Sequence, residues 1–248
     1  MIDELSIVIP TYNEEHYLGK TLQSIQKQQL PSKFETIIVD GHSDDKTLQV
    51  ADSFQTKIPH LTVLTAKRST GHQRNVGARR AKYKYLIFLD ADMILSDNFI
   101  INLLQKSSNK EEFISMVIIW TASKRLVDNF LLTLAYPFII LVYFLHPTVG
   151  AGFIFTTKQN HSKIDGFNEK AILGEDTDYG NRSILAGAKP HLFFSLHVFH
   201  SPRRTREKGV IGLLIFWLRA YVYMQKNGLV YDTKKFSYPY GHYKGDAE

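Results

Sequence analysis

Tyr85-Leu86-Ile87-Phe88-Leu89-Asp90-Ala91-Asp92 is the stretch on which the fold turns. Five apolar residues in a row, bounded by polar ones, make a strand buried on both faces, as in a parallel sheet with helices on each side. The run ends in two carboxylates at positions i and i+2. On extended backbone these share a face, and a local turn can aim both at one divalent ion. Hard oxygen ligands with open positions suit Mg2+ or Mn2+ holding a diphosphate. A turn or cap leading into Ser96-Asp97-Asn98 would produce the same triplet, so its weight depends on what surrounds it.

Upstream, short apolar runs alternate with amphipathic ones. Strands are expected at Leu5 to Pro10, Phe34 to Asp40 and Leu61 to Thr65, with Tyr85 to Asp90 as the fourth. Helices are expected at Glu14 to Gln29, Asp44 to Phe54 and Gly71 to Lys82. This order predicts an α/β fold with a mostly parallel central sheet flanked by helices, which places ligands beyond the carboxyl ends of its strands. Polar residues gather at those ends: Thr11-Tyr12-Asn13-Glu14, Asp40 to Asp45, and Asp90-Ala91-Asp92.

The composition agrees. With 248 residues, 44% hydrophobic and 22% charged, the chain can bury a core and is neither disordered nor collagen-like. The absence of cysteine removes disulfides, iron-sulfur clusters, thiolate-bound zinc and thiol catalysis. The net charge of +6 is concentrated at Arg203, Arg204, Arg206 and Lys208, beside a strongly apolar stretch. Nucleic-acid binding would spread positive charge along a face with stacking aromatics, so no nucleic-acid partner is expected and an anionic membrane surface is.

Downstream of Trp120 the character changes. Phe130 to Leu145 is sixteen residues without a charge, shorter than the roughly 20 that span a bilayer, and Pro137 is expected to kink or break it. Val210 to Met224 carries Arg219 as its only charge. Two such stretches flanked by Arg203, Arg204, Arg206, Lys208, Lys226, Lys234, Lys235 and Trp217 are expected to be interfacial or re-entrant membrane helices. Burial in the core or in a homo-oligomer interface is the alternative.

Three further segments carry chemistry. In Val39-Asp40-Gly41-His42-Ser43-Asp44-Asp45-Lys46-Thr47, a carboxylate at the strand end can accept the imino N-H of uracil, thymine or guanine, while Ser43, Asp44 or Asp45 caps the next helix. Gly71 to Arg79 opens a helix whose amides and Arg74 can face phosphate. Gly174-Glu175-Asp176-Thr177-Asp178 places three carboxylates in a first helical turn, more than the macrodipole needs, and one of them can take a proton from an acceptor hydroxyl. Of His197 and His200, the second is the better candidate to complete a metal shell.

Taken in order, Ile7-Val8-Ile9-Pro10-Thr11-Tyr12-Asn13-Glu14-Glu15, Asp40 to Thr47, Arg74-Asn75-Val76-Gly77-Ala78, Asp90-Ala91-Asp92 and Gly174-Glu175-Asp176 resemble glycosyltransferase family 2. Ala151-Gly152-Phe153-Ile154-Phe155 and Asp165-Gly166-Phe167-Asn168-Glu169 extend the likeness, which runs from about Leu5 to Arg204. The resemblance implies a GT-A fold and an inverting, metal-dependent sugar transfer from a nucleotide diphosphate sugar. It places Pro10, Thr11, Tyr12, Glu14 and Asp40 around the nucleoside and Arg74 near the ribose or diphosphate. Asp90 and Asp92 correspond to the family's Asp-x-Asp motif, with Asp92 the stronger ligand of Mg2+ or Mn2+, and Asp176 corresponds to the catalytic base, with Glu175 beside it. Arg203 and Arg204 are expected to hold the donor diphosphate, an acceptor phosphate or lipid headgroups.

The chain is thus expected to divide into a GT-A domain over 1–204, with an apolar helical insertion at about 124–147, and a basic, apolar C-terminal helix and tail over 205–248. The expected donor is a UDP sugar, with GDP allowed, and the expected acceptor is a hydroxyl or phosphate of a lipid-linked or membrane-associated molecule at the cytoplasmic face of a membrane. Asp40-Gly41-His42-Ser43 departs from the family's usual Asp-Asp-Gly-Ser. No Gln-x-x-Arg-Trp follows the acidic motif, which argues against a processive polysaccharide synthase. A sugar nucleotidyltransferase would carry a Gly-rich, Arg-containing loop where Tyr12-Asn13-Glu14-Glu15 stands, and a silent membrane-binding module has no need of Asp90, Asp92 and Asp176 together.

Overall fold

Alternation within single strands shows how the sheet is covered. Ile7 and Ile9 point into one apolar cluster and Val8 into a second on the opposite face; Ile38 opposes Ile37 and Val39, and Ile87 and Leu89 oppose Leu86 and Phe88. Both faces are therefore buried, as the continuous apolar runs require.

The computed structural model describes residues 2–108, 112–123, 125–145, 152–201, 203–232 and 236, apart from the side chains of 128, 132, 135, 138, 139, 141–145, 204, 205, 207 and 208. The chain runs β1 (Glu4–Thr11), α1 (Leu18–Gln26), β2 (Lys33–Asp40), α2 (Thr47–Asp52), β3 (Leu61–Thr65), α3 (Thr70–Arg80), β4 (Tyr85–Leu89), β5 (Met93–Leu95), α4 (Phe99–Ser107) and β6 (Phe113–Thr121). It continues through α5 (Leu126–Leu145), β7 (Phe153–Thr157), α6 (Lys158–Lys163), α7 (Glu175–Leu185), β8 (Lys189–His200) and α8 (Arg203–Asn227). The eight strands form one sheet in the order β3-β2-β1-β4-β7-β6-β8-β5. The first four are parallel, β7 runs antiparallel to both β4 and β6, β8 is parallel to β6, and β5 is antiparallel to β8. The sheet is mixed and mostly parallel.

This topology gathers distant residues on one edge. The carboxyl ends of β1, β2, β4 and β8 lie there, together with the amino end of the reversed strand β7. The crevice beside the point where the order turns from β1 to β4 is where such sheets bind ligands.

Several elements differ from expectation for identifiable reasons. Helix α1 starts at Leu18 rather than Glu14: Asn13 ahead of it has a φ of 53°, and the residues that follow are held to the β2–α2 loop. The N-H groups of Asn13, Glu14 and Glu15 donate to Ser43 Oγ, Thr47 Oγ1 and Asp45 Oδ2. Helix α2 starts at Thr47, whose N-H and hydroxyl both donate to Asp45 Oδ1; its N-cap residue is Lys46, which makes no side-chain capping bond, so none of Ser43, Asp44 and Asp45 is the N-cap. Helix α5 runs unbroken through Pro137, which lies on its exposed side, where the ring meets no packed neighbour element among the described residues. Helix α8 is broken at Gly209, whose φ of 64° and ψ of 162° are not helical. No helix among the described residues is long and apolar enough to cross a membrane. The side chains of Arg204 and Lys208, and Lys234 and Lys235 entirely, lie outside the described residues.

Candidate active site

At the end of β1 and β2, Thr11 pairs with Asp40 in register. The Asp40 carboxylate, 0% exposed, accepts from Thr11 Oγ1 (3.0 Å), Ser43 Oγ (2.6 Å) and Ser43 N (2.8 Å). It thereby ties the β1 and β2 loops together. Gln73 of α3 clamps the same two strands, its amide donating to the carbonyls of Thr11 and Val39, both at 2.7 Å. Beside them the Arg68 guanidinium lies 3.8 Å over the Tyr12 ring. Gly41 leaves room for this approach, since a Cβ there would meet Gln73 Nε2 at 3.2 Å and Thr11 O at 3.3 Å.

One residue on from Gln73, Arg74 turns under the acidic loops. Its guanidinium, 1% exposed, donates to Asp90 Oδ1 at 2.7 Å and to Asp176 Oδ1, stands 3.5 Å from Glu175 Oε1, and stacks 5.1 Å over Phe167. Burial alone disfavours its charge, but the carboxylates of Asp176, Asp90 and Glu175 more than offset that and hold it protonated. Glu175 is pushed up to about 8, first by burial and then by the neighbouring Asp176 charge, with Arg74 opposing. Three carboxyl groups share one guanidinium here, so keeping a proton on the most buried of them relieves the excess.

Strand β7 completes this cluster because it is reversed. Its entry residue Gly152 accepts from Asp90 N at 2.8 Å through its carbonyl, and its N-H donates to Asp176 Oδ2 at 3.2 Å. Its φ is +86°, and a Cβ would lie 2.5 Å from Asp90 Oδ2. Glycine alone fits.

Asp92 has a different set of partners. The β5–β8 pairing sets Met93 opposite His200, which brings Asp92 to the end of β8. Asp92 Oδ2 accepts from Ser201 Oγ (3.0 Å) and Arg203 Nη2 (3.3 Å), and lies 3.3 Å from His200 Nε2. The other face of the Arg203 guanidinium holds both Glu14 oxygens at 3.1 Å and stacks over Tyr17. Glu14 is pushed up to about 8 by burial, against the pull of Arg203 and with help from Asp92 and Asp90.

Asp90 and Asp92, expected from their i, i+2 spacing to share one ion, meet different guanidinium groups, Arg74 and Arg203. The turn in which Met93 N donates to Asp90 O separates them, one toward Arg74 and the other toward β8. Arg74 lies beneath the carboxylates rather than open to a diphosphate. Arg203 stands between Asp92 and Glu14; the side chain of Arg204 lies outside the described residues. Gln73, Arg68, Gly152 and Ser201 are members that sequence reasoning missed. Gly152 alone left a signal, as a glycine entering a buried strand.

Among the described residues no group of three or more His, Asp or Glu side chains is assembled to hold a metal ion. The donor set nevertheless fits one. His200 Nδ1 lies 2.6 Å from the Ser201 carbonyl and donates to it, and its Nε2 lies 3.3 Å from Asp92 Oδ2, which sets an imidazole nitrogen and a carboxylate oxygen side by side. Around these, the carboxyl groups of Asp90, Glu175 and Asp176 meet the Arg74 guanidinium and those of Glu14 and Asp92 meet Arg203.

Residues 6–159 match the model of Glycosyl transferase family 2. Among curated proteins the chain is similar to an uncharacterized glycosyltransferase of Bacillus subtilis, YfnE, at 31% identity over 46% of this chain and 30% of that one. It is also similar to the poly(ribitol-phosphate) beta-N-acetylglucosaminyltransferase TarS of Staphylococcus aureus, at 34% identity over 36% of this chain and 16% of that one. The match thus spans a third or less of these relatives' lengths. Among solved structures the fold resembles S. aureus TarS 1-349 in complex with UDP-GlcNAc, with a TM-score of 0.65 and 19% identity over 90% of this chain and 67% of that one. It also resembles the mannosyltransferase PcManGT of Pyrobaculum calidifontis in complex with GDP-Man and Mn2+, with a TM-score of 0.63 and 17% identity over 87% of this chain and 64% of that one.

Proposed function

Because the chain belongs to glycosyltransferase family 2, we propose that it transfers a sugar from a nucleotide diphosphate donor, with inversion, to a hydroxyl of a lipid-linked acceptor at the cytoplasmic face of a membrane. The observation that carries this reading is the meeting of Asp90, Asp92 and Asp176 at one sheet edge, joined by Arg74 and Arg203.

Pro10, Thr11, Tyr12 and Asp40 receive the nucleoside. Asp40 has three acceptor positions occupied out of about four, which leaves one on Oδ2 for an imino N-H and favours uridine, with guanosine as the second choice. Admission of the base moves the Ser43 loop, since Asp40 is otherwise enclosed. TarS with UDP-GlcNAc and PcManGT with GDP-Man support donors of both kinds.

Asp92 and His200 would hold Mg2+ or Mn2+, with Asp90 at hand and diphosphate oxygens and water as further ligands. The bound cation supplies positive charge where the leaving diphosphate becomes negative. Arg203 adds a fixed positive charge beside Asp92. Asp176, oriented by Arg74 and the Gly152 N-H, takes the proton of the acceptor hydroxyl, with Glu175 beside it. The acceptor oxygen bonds to the anomeric carbon on the face opposite the departing diphosphate, and the anomeric carbon-oxygen bond breaks.

Incubation with UDP and GDP sugars and Mn2+ tests this by release of free nucleoside diphosphate. Asp176→Asn should slow release to an acceptor by about 10²–10⁴-fold while donor affinity holds. Unchanged transfer in that variant would remove Asp176 as the base.

A further inference from the structure

Helices α5 and α8 pack on each other, and each turns an aliphatic face outward. On α8, Ile211, Leu214, Ile215, Leu218 and Val222 are exposed; at i, i+3, i+4, i+7 and i+11 they fall within about 100° of arc. The opposite face holds Ala220, which is buried, with Phe216, Tyr223 and Met224 packed nearby, and Val210 is buried at the flank. On α5, Leu126, Val127, Phe130, Leu134 and Pro137 are exposed and share one face with Thr133. Leu126 is 85% exposed and Ile211 62%. Contiguous apolar surface of this kind is uncommon on a protein that meets only water.

The surroundings identify the occupant. Exposed Arg125 precedes the α5 stripe, exposed Arg206 precedes the Gly209 break, and exposed Arg219 and Lys226 border the α8 stripe. Trp217, partly exposed, sits beside it. An aliphatic surface with a cationic and indole margin matches the acyl-headgroup boundary of an anionic bilayer, whereas a second copy of this chain would bring like charges together.

We propose that the outward faces of α5 and α8 form one seat that lies in the interface of an anionic membrane, with α8 as the strut between the bilayer and the catalytic carboxylates. This rests on the reading of a membrane-borne acceptor. Helix α8 meets the site at both ends. Arg203 holds Asp92 and Glu14. At the far end Met224 packs against Gly174, where a Cβ would lie 2.3 Å from its sulfur, directly before Glu175 and Asp176. The seat thus sets the height of the acidic crevice above the lipid without inserting a span.

The test is co-sedimentation of the full chain with vesicles of phosphatidylcholine alone and with added phosphatidylglycerol, alongside the pairs Leu214→Glu/Leu218→Glu and Phe130→Glu/Leu134→Glu. The expected result is binding that requires phosphatidylglycerol, weakens in high salt and falls about tenfold or more in either pair. Release of nucleoside diphosphate from a donor in solution should persist in both pairs, which also reports that they fold; if one pair misfolds, the other decides. Absence of wild-type binding, or equal binding by both pairs, overturns the proposal. A wild-type dimer that the pairs dissociate, with no vesicle binding, overturns it in favour of self-association. Vesicle binding without any donor turnover leaves the seat in place and removes the enzymatic reading, so the two fail separately.

Discussion

The Arg74 guanidinium donates to the carboxylate of Asp176, 102 positions along the chain, and with its second nitrogen to Asp90. It neutralises the charge that would otherwise drive the two acidic loops apart, in a place closed to water. Replacement by Met leaves three carboxyl groups without a buried counter-charge, and unfolding in urea is expected to show a loss of about 3–5 kcal/mol. Lys should recover only part of this, because a single ammonium cannot serve Asp90 and Asp176 with a planar fork. Equal stability of Arg74→Met and wild type would show that the acidic loops hold themselves.

Glu175 gives the fold a dependence on pH. Its unfolded side chain titrates near the ordinary 4.5, while burial and Asp176 push it up to about 8 in the folded chain. Between those values the folded state keeps a proton that the unfolded state releases, so stability falls as pH rises and levels off above the folded value. Glu175→Gln is neutral throughout. The difference in urea stability between wild type and this variant should therefore shift by about 3–4 kcal/mol, against wild type, from about pH 5 to about pH 8. His161, pushed down to about 4 by burial and by Arg79, titrates alike in both and cancels. A difference that does not vary with pH would assign Glu175 an ordinary titration.

The cation dependence of turnover should separate Asp92 from His200. Asp92→Asn removes the carboxylate that meets Ser201, His200 and Arg203, and is expected to cut nucleoside diphosphate release by about a hundredfold or more at any Mn2+ concentration. His200→Ala leaves the carboxylate and should instead raise the Mn2+ concentration for half-maximal rate by about 10–100-fold. Matching Mn2+ curves for His200→Ala and wild type would place the ion elsewhere.

The parallel half of the sheet was legible because each of its strands declares itself locally: β3 has the bounds that alternation predicts, and β4 ends one residue before Asp90. The carboxylates were legible for a related reason, since they sit where apolar runs stop. Their partners were not. Asp92 meets His200 only because β5 pairs with β8, and β8 reaches that register by skipping from Phe193 to His197 opposite Val117 and Ile118. No local pattern in the sequence encodes that shift. Likewise, the segment ahead of α1 is held by side chains of the β2–α2 loop that accept from its amides, a contact between segments about thirty positions apart.

Gly152 offers the sharpest test of the joint between Asp90 and Asp176, because strain and collision can be separated there. Its φ of +86° makes any L side chain costly, and its Cβ would enter the space of Asp90 Oδ2 and Met93 Cε, at 2.5 and 2.6 Å. Gly228 has a φ of +76° with nothing within 4 Å of its Cβ position, so Gly228→Ala isolates the backbone term. That variant should lose about 1–2 kcal/mol of stability and keep its turnover. Gly152→Ala carries the same strain plus the displacement of Asp90 from Arg74, and with it a shift of the N-H that orients Asp176. Its turnover should fall by about a hundredfold or more, beyond what its stability loss predicts. If the two variants lose stability equally and both retain turnover, the entry of β7 is scaffolding alone and the orientation of Asp176 rests on Arg74.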